Sequence, residues 1–232
     1  MILVRKAAQR GHFDFGWLQT KHTFSFGQYH DPRFMGFRSL RVINEDSVEP
    51  GEGFGSHGHQ DMEILTYVLE GELSHKDSLG NGSIIQPGDI QRMSAGSGVR
   101  HSEFNDSRRE RVHFLQIWIM PDQYGTTPSY DQKYFANETK QGQFRLIASC
   151  DGRKGSLKIH QDTALYATLL EPLQALDYSI EKGRYGWIQI ARGAITMNGV
   201  TLSTGDGASI CDETKLQIKA VDACEFLFFD LS

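Results

Sequence analysis

Cysteine is scarce in this chain of 232 residues, with only Cys150, Cys211 and Cys224. They are odd in number, far apart and without a Cys-X-X-Cys motif, which argues against a disulfide framework and for a reducing compartment. Each reads as a small hydrophobe within a strand. Long apolar runs are missing too. No stretch approaches the ~18 apolar residues of a membrane span. The start, Met1-Ile2-Leu3-Val4-Arg5-Lys6, has no apolar segment of signal-peptide length. The expected location is the cytoplasm, with no membrane partner. A basic excess is also lacking: the net charge is -5 and the pI is about 6.0. That balance argues against direct nucleic-acid binding. Arg108-Arg109-Glu110-Arg111 reads as a solvated turn rather than a docking patch.

Proline is low at 6, but glycine reaches 24. Many glycines and few prolines suit short strands joined by tight turns. The length allows one large all-β domain or two smaller ones, with room for a real core. Residues 2–8 read as a first strand. An aromatic and glycine-rich segment follows from Gly16 to Phe37, too irregular for a strand and too apolar for a linker. It reads as an ordered loop in which His22 and His30 are structural. Strands are expected at 39–46, 63–69, 73–77, 90–94, 99–104 and 112–120, the last of these carrying a structural His113. Residues 120–143 turn polar and mark a junction, giving domains at 1–130 and 131–232. Beyond it, strand candidates recur at 144–148, 157–160, 164–170, 178–180, 186–191, 194–198, 208–211, 216–219 and 225–229. Their spacing of about 8–12 residues suits a sandwich or barrel.

The halves echo each other. Tyr67-Val68-Leu69-Glu70-Gly71-Glu72 resembles Ile188-Gln189-Ile190-Ala191-Arg192-Gly193, and Pro87-Gly88-Asp89 resembles Thr204-Gly205-Asp206. Two copies of one β-fold account for this economically.

The chemistry concentrates in the first copy. His57-Gly58-His59 follows the glycine-rich Gly51-Glu52-Gly53-Phe54-Gly55-Ser56, and His101-Ser102-Glu103 follows Gly96-Ser97-Gly98-Val99-Arg100. Residues two apart on a strand share a face. Four short strands fit between the pairs, so the two ligand strands can be sheet neighbours. His57, His59, His101 and Glu103 then converge on one point. Three imidazoles and a carboxylate suit Fe(II), Mn, Ni or Cu with open positions for substrate or O2. The plain alternative is four polar residues on a solvated strand face. A closed structural zinc site is disfavoured, because such sites are rich in cysteine. The second copy offers only His160, so any metal belongs to the first.

The spacing from Gly51 through His57, His59 and Glu63 to Gly71 resembles the first cupin motif, and Gly98, His101 and Asn105 resemble the second. Gly96 stands where that motif usually has proline. More narrowly, His22-Thr23-Phe24-Ser25-Phe26, Asp31-Pro32, Phe34-Met35-Gly36-Phe37, Asp61-Met62-Glu63, Ser94-Ala95-Gly96-Ser97-Gly98, Arg100-His101-Ser102-Glu103 and Gln116-Ile117-Trp118 resemble the pirins. The likeness is strongest to bacterial pirin-like quercetinases. The resemblance implies an all-β bicupin: two jelly-roll domains in tandem, the second degenerate and without ligands. It implies one divalent transition metal on His57, His59, His101 and Glu103, Fe(II) before Mn, Ni, Cu, Co or Zn. Many other cupins use the first-motif glutamate, here Glu63, which is expected to support the site instead.

The implied activity is quercetin 2,3-dioxygenation, with a flavonol and O2 as partners, carbon monoxide as a product and Glu103 as general base. Other pirins are regulators that bind protein partners in a metal-dependent way. That is the alternative, followed by an O2-independent cupin enzyme such as an isomerase. A monomer is expected.

Overall fold

The computed structural model describes residues 1–232 and is built almost wholly of strands. The strands form where side chains alternate. In Lys215–Ala220, Leu216, Ile218 and Ala220 are buried while Lys215, Gln217 and Lys219 face water. Leu73–Asp77 and Val99–Phe104 alternate in the same way. Such a pattern lets one face of a strand leave water while the other stays solvated. No helix is long and apolar enough to cross a membrane.

The chain forms two compact units. One comprises Gly11–Tyr134 with Ile159–Gln161; the other comprises Met1–Arg10, Phe135–Lys158 and Asp162–Ser232. Each holds one seven-stranded and one four-stranded sheet. In the unit with the histidine pairs, the larger sheet runs Ser129–Tyr134, Asp89–Ser94, Glu63–Glu70, Val112–Ile119, Leu40–Val48, Leu18–His22, Gly11–Asp14. The smaller runs Gly53–His59, Val99–Phe104, Leu73–Asp77, Gly82–Ile85. Leu18, Val48, Val68, Val112 and Phe114 of the first sheet pack against Leu73 and Ile85 of the second. This is a two-sheet jelly roll of the cupin type, present twice in the chain.

The expected contiguous domains, 1–130 and 131–232, differ from these units in three places, the smallest being residues 131–134, which stay with the first unit. The strand Ile2–Arg5 pairs with Gly207–Ile210, matching Ile2 to Ile210 and Arg5 to Gly207, so the first residues belong with the C-terminal half. In exchange, Ile159–Gln161 joins the first unit. There Asp122 N–H donates to the His160 carbonyl at 2.8 Å and the Gln161 amide donates to the Met120 carbonyl at 2.8 Å. Pairing over such separations leaves no local sequence signal. The expected loop at 16–37 also divides. Leu18–His22 is a strand, whereas 23–37 is irregular but tied down by Ser25, whose hydroxyl donates to the Asp31 carbonyl at 2.9 Å and accepts from Asp31 N–H at 2.8 Å. The polar Ser129–Tyr134 is an edge strand inside the expected junction.

The echoed segments are structurally equivalent. Glu63–Glu70 and Tyr185–Arg192 are inner strands of the two large sheets. Each is followed by a left-handed glycine, Gly71 at φ 73° and Gly193 at φ 71°. A Cβ at Gly71 would sit 2.5 Å from the Arg111 carbonyl oxygen, and one at Gly193 2.2 Å from that of Ala223. Both turns therefore need glycine for conformation and for space. Likewise Asp89 accepts from Gln86 N–H at 3.0 Å and Asp206 from Ser203 N–H at 3.1 Å.

Asp206 does more than close its turn. It accepts from Ala7 N–H and from Lys6 Nζ, each at 2.8 Å, which fastens the first strand's end to its sheet. These donors hold its carboxyl below the usual range against the opposing effect of burial. Lys6 is the largest lowering influence, followed by the backbone donors of Ala7 and Ser203, and because Lys6 is half exposed its share is screened by water. A carboxylate with a depressed folded pKa adds stability above its unfolded pKa, and that stability is lost as pH falls through the folded one. Asp206→Asn should therefore cost about 1–3 kcal/mol at pH 7. In urea melts the gap to the parent protein should narrow only below about pH 4.

Candidate metal centre

The strands Gly53–His59 and Val99–Phe104 lie side by side and antiparallel, with His101 opposite His57 and Val99 opposite His59. Directly opposed residues on neighbouring strands bring their Cβ atoms about 5 Å apart. Two i, i+2 pairs on such strands therefore share one point. The register then slips: Glu103 pairs with Phe54, so the first strand carries one extra residue around Gly55 and Ser56. A bulge of this kind re-aims side chains locally. Here it brings the Gly55 carbonyl to 2.8 Å from His57 Nδ1. Next to the bulge the strands close up. A Cβ on Gly53 would meet the Glu103 carbonyl oxygen at 2.3 Å, so only glycine fits.

The three imidazoles meet through Nε2. His101 Nε2 is 2.9 Å from His59 Nε2 and 3.0 Å from His57 Nε2. Burial holds His101 down to about 3 and His59 to about 4, and the charge His57 would carry lowers both further. Both rings are thus neutral near pH 7. His57 donates Nδ1–H to the Gly55 carbonyl, which leaves its Nε2 lone pair facing inward. Lone pairs at this spacing repel unless a proton or a cation sits between them. Two nitrogens bound cis on an octahedral ion at about 2.1 Å would stand about 3.0 Å apart. The observed spacing and the all-nitrogen donor set therefore fit a first-row divalent metal.

Glu103 lies beside this triad rather than within it. Its oxygens belong to a second group, with His75 and His101, whose ligand atoms lie within 4.8 Å of one another. Gln116 Nε2 donates to the carboxylate at 2.9 Å and Thr66 Oγ1 approaches at 3.5 Å. Complete burial, with Asp46 nearby, pushes its pKa up to about 7. A cation on the histidines would favour the ionised form and lower it again.

Glu63 stands in the other sheet. It accepts from Ser94 Oγ at 2.8 Å and faces His160 Nδ1 at 3.1 Å, tying the Ile159–Gln161 segment to its unit. His113 pairs with Glu45 at 3.2 Å, and His22 packs among Phe13, Phe26 and Tyr29. His22 also lines the aromatic cavity described below.

His75 was not foreseen. It is buried, 3.2 Å from Asp77 and 3.5 Å from His101. A signal existed: in Leu73–Asp77 it stands two residues after buried Leu73, on the inward face. Trp118 was also not assigned a place near the site. Its ring packs on His59 at 4.9 Å and on Phe26 at 5.2 Å. Phe26 in turn lines a largely apolar cavity of about 190 Å³ with Phe13, Phe15, Phe54 and Asp46. Neither this cavity nor a roomier polar groove of about 530 Å³ near Glu72 and Glu110 is lined by His57, His59, His101 or Glu103.

Residues 3–119 match the family Pirin, and residues 146–231 match the Quercetinase C-terminal cupin domain. The quercetin 2,3-dioxygenase of Escherichia coli K12 is 52% identical over 231 residues, covering 100% of this chain and 99% of that protein. A pirin-like protein of Caulobacter vibrioides is 40% identical, covering 95% of each chain. The crystal structure of the bacterial pirin YhhW from Escherichia coli in complex with nickel(II) superposes with a TM-score of 0.95 at 52% identity, covering 100% of this chain and 99% of that one.

Nickel(II) at a hundred times its dissociation constant should stabilise the folded protein by about 2.7 kcal/mol. His59→Ala and His101→Ala should each abolish that gain. Thermal melts with and without Ni(II) check this.

Proposed function

Because the chain belongs to the pirin family, we propose that it is a metal-dependent flavonol 2,3-dioxygenase of the quercetinase type. The observation that carries this reading is the run of ring contacts from His59 through Trp118 to Phe26, which sets the three-nitrogen centre behind one wall of an aromatic cavity. Flat apolar walls with a few polar groups suit a planar, hydroxylated ring system. In the overall reaction both atoms of O2 enter the substrate, at C2 and C4. The bonds from C3 to C2 and C4 break, and C3 leaves with its oxygen as carbon monoxide. Atoms and electrons balance without another reductant.

A divalent ion on His57, His59, His101 and Glu103 would supply Lewis acidity toward the flavonol 3-oxygen and a place beside it for O2. Fe(II) is the proposed native ion, and the nickel-bound relative supports a divalent metal here. Three free cysteines suit the cytoplasm as the place where Fe(II) is kept reduced.

The chain's own residues do the rest. Glu103 takes the 3-hydroxyl proton, with Gln116 and Thr66 aiming its carboxylate. Phe13, Phe26 and Phe54 bound the ring system and exclude water. Asp46, which also lines the cavity, supplies an acceptor for a ring hydroxyl.

With Fe(II), Mn, Ni, Cu or Co restored under controlled air, quercetin absorbance should fall with matching release of carbon monoxide. Glu103→Gln should lower kcat by about 10²–10⁴-fold. Phe26→Ala should mainly raise KM. Absence of turnover with every metal overturns the proposal, as does a Glu103→Gln variant with undiminished kcat.

A further inference from the structure

Outside the proposed ligand set, one fully enclosed polar pair remains unexplained. The side chains of His75 and Asp77 have no solvent exposure, and His75 Nε2 lies 3.2 Å from Asp77 Oδ2. The other ring nitrogen, Nδ1, is 3.5 Å from His101 Nδ1 and 3.5 Å from Gln91 Nε2. Asp77 is itself fixed. Its Oδ1 accepts from Leu79 N–H at 2.9 Å and Asn81 N–H at 3.0 Å, while Oδ2 accepts from the Asn81 amide at 2.9 Å. Tyr130 stacks on the His75 ring at 4.7 Å and keeps it from turning.

These contacts set a direction. An ionised carboxylate only accepts, so His75 must carry its proton on Nε2. In a neutral ring Nδ1 is then a bare lone pair. Two donors face it: the Gln91 amide and His101 Nδ1. The contact with His75 is the one hydrogen bond that His101 Nδ1 makes, so its proton points to His75. The remaining nitrogen, His101 Nε2, is then the lone pair that meets His57 and His59. The contact between the two rings is long for a hydrogen bond, and such contacts shorten when a site is loaded.

We propose that Asp77 and His75 are positioning residues. They form a one-way relay of hydrogen bonds that locks His101 in the tautomer able to bind metal and increases the electron density of its Nε2. Partners behind a ligating histidine fix its ring and its tautomer, and their loss usually costs 10–100-fold in metal affinity. The inference rests on the triad being the metal site, but the tautomer can be read without metal.

Asp77→Asn gives the sharpest test. Asparagine can keep Oδ1 on the two backbone donors while presenting an N–H to His75. That would reverse every bond in the relay and place the His101 proton on Nε2, where it blocks the metal. His75→Leu removes the acceptor. His75→Asn returns one near the Nδ1 position. Nitrogen-15 shifts of the imidazoles in the metal-free protein should show Nδ1–H on His101 and Nε2–H on His75, with His101 switched in Asp77→Asn. Competition against a coloured chelator should show Ni(II) affinity down by about 10–100-fold in Asp77→Asn and His75→Leu, and largely restored in His75→Asn. Melting of each metal-free variant separates these losses from misfolding, and the tautomers of the parent protein stand whatever the variants do. An Nε2–H tautomer of His101 in the parent overturns the relay. So does parental affinity in a folded His75→Leu. So does binding of two Ni(II) per chain with His75 and Glu103 around the second, since that ion would displace the relay proton. If the parent protein binds no Ni(II) but shows the expected tautomers, the metal-site reading fails and the relay stands.

Discussion

The pairing of Gly53–His59 with Val99–Phe104 is the constraint on which the site depends. His57 and His101 are 44 residues apart, and only this register sets them opposite each other. A slip by one residue would turn each strand's side chains to the other face. The register is held from several sides. Gly53 admits no side chain against the facing strand, the bulge absorbs one residue, and Leu73–Asp77 pairs along the far edge of Val99–Phe104, with His101 opposite Asp77 and Glu103 opposite His75. That second pairing brings the two strand partners of the relay beside the ligand strand. The strands that gather the nitrogens also deliver the groups that orient one of them.

Gathering polar groups inside a sandwich has an energetic consequence. Thr66, His75, Gln91, His101 and Glu103 are all buried in this unit. Its apolar residues gather around these groups, with one cluster around Val68 and Phe114 and another around Ile64 and Met93. Buried polar groups are tolerable only with partners. Glu103 has Gln116 and Thr66, His57 has a backbone carbonyl, and His75 has Asp77. The Nε2 lone pairs are the part of the network that protein donors leave to a cation. Metal binding and fold stability are thereby coupled.

Much of this was legible in the residues. Val99–Phe104 and Leu73–Asp77 were bounded correctly because they alternate and end at turns. The four strands between the histidine pairs followed from their glycine punctuation. The triad followed from two i, i+2 pairs. What escaped has physical reasons. Ile2–Arg5 looks like the first strand of the first domain, yet its partner is at 207–210, and nothing local encodes a pairing across nearly the whole chain. Ser129–Tyr134 is an edge strand with few buried positions, so it carries no hydrophobic signal. His75 is a lone histidine, and its importance appears only once the next strand lies beside it. The donors that aim Glu103, on strands of the opposite sheet, are likewise invisible to any spacing rule.

The second unit shows what the same frame becomes without the chemistry. Its small sheet runs Ala175–Ser179, Lys215–Ala220, Ala194–Met197, Val200–Ser203, and by strand order these answer to Gly53–His59, Val99–Phe104, Leu73–Asp77 and Gly82–Ile85. Where one sheet aims His57 and His59, the other packs Leu176 and Tyr178; where one has His101 and Glu103, the other buries Leu216 and Ile218; where one has His75, the other buries Ile195 and Met197. The result is an apolar cluster that also takes in Ile188, Phe226 and Phe228. Continuous apolar packing satisfies a sandwich without any ligand. The strand order therefore does not require a metal. The polar residues lie on three adjacent strands: two strands supply nitrogens, and the third supplies the group proposed to keep one of those nitrogens ready. A site assembled this way should be read across neighbouring strands, because the residue behind a ligand is as much a product of register as the ligand itself.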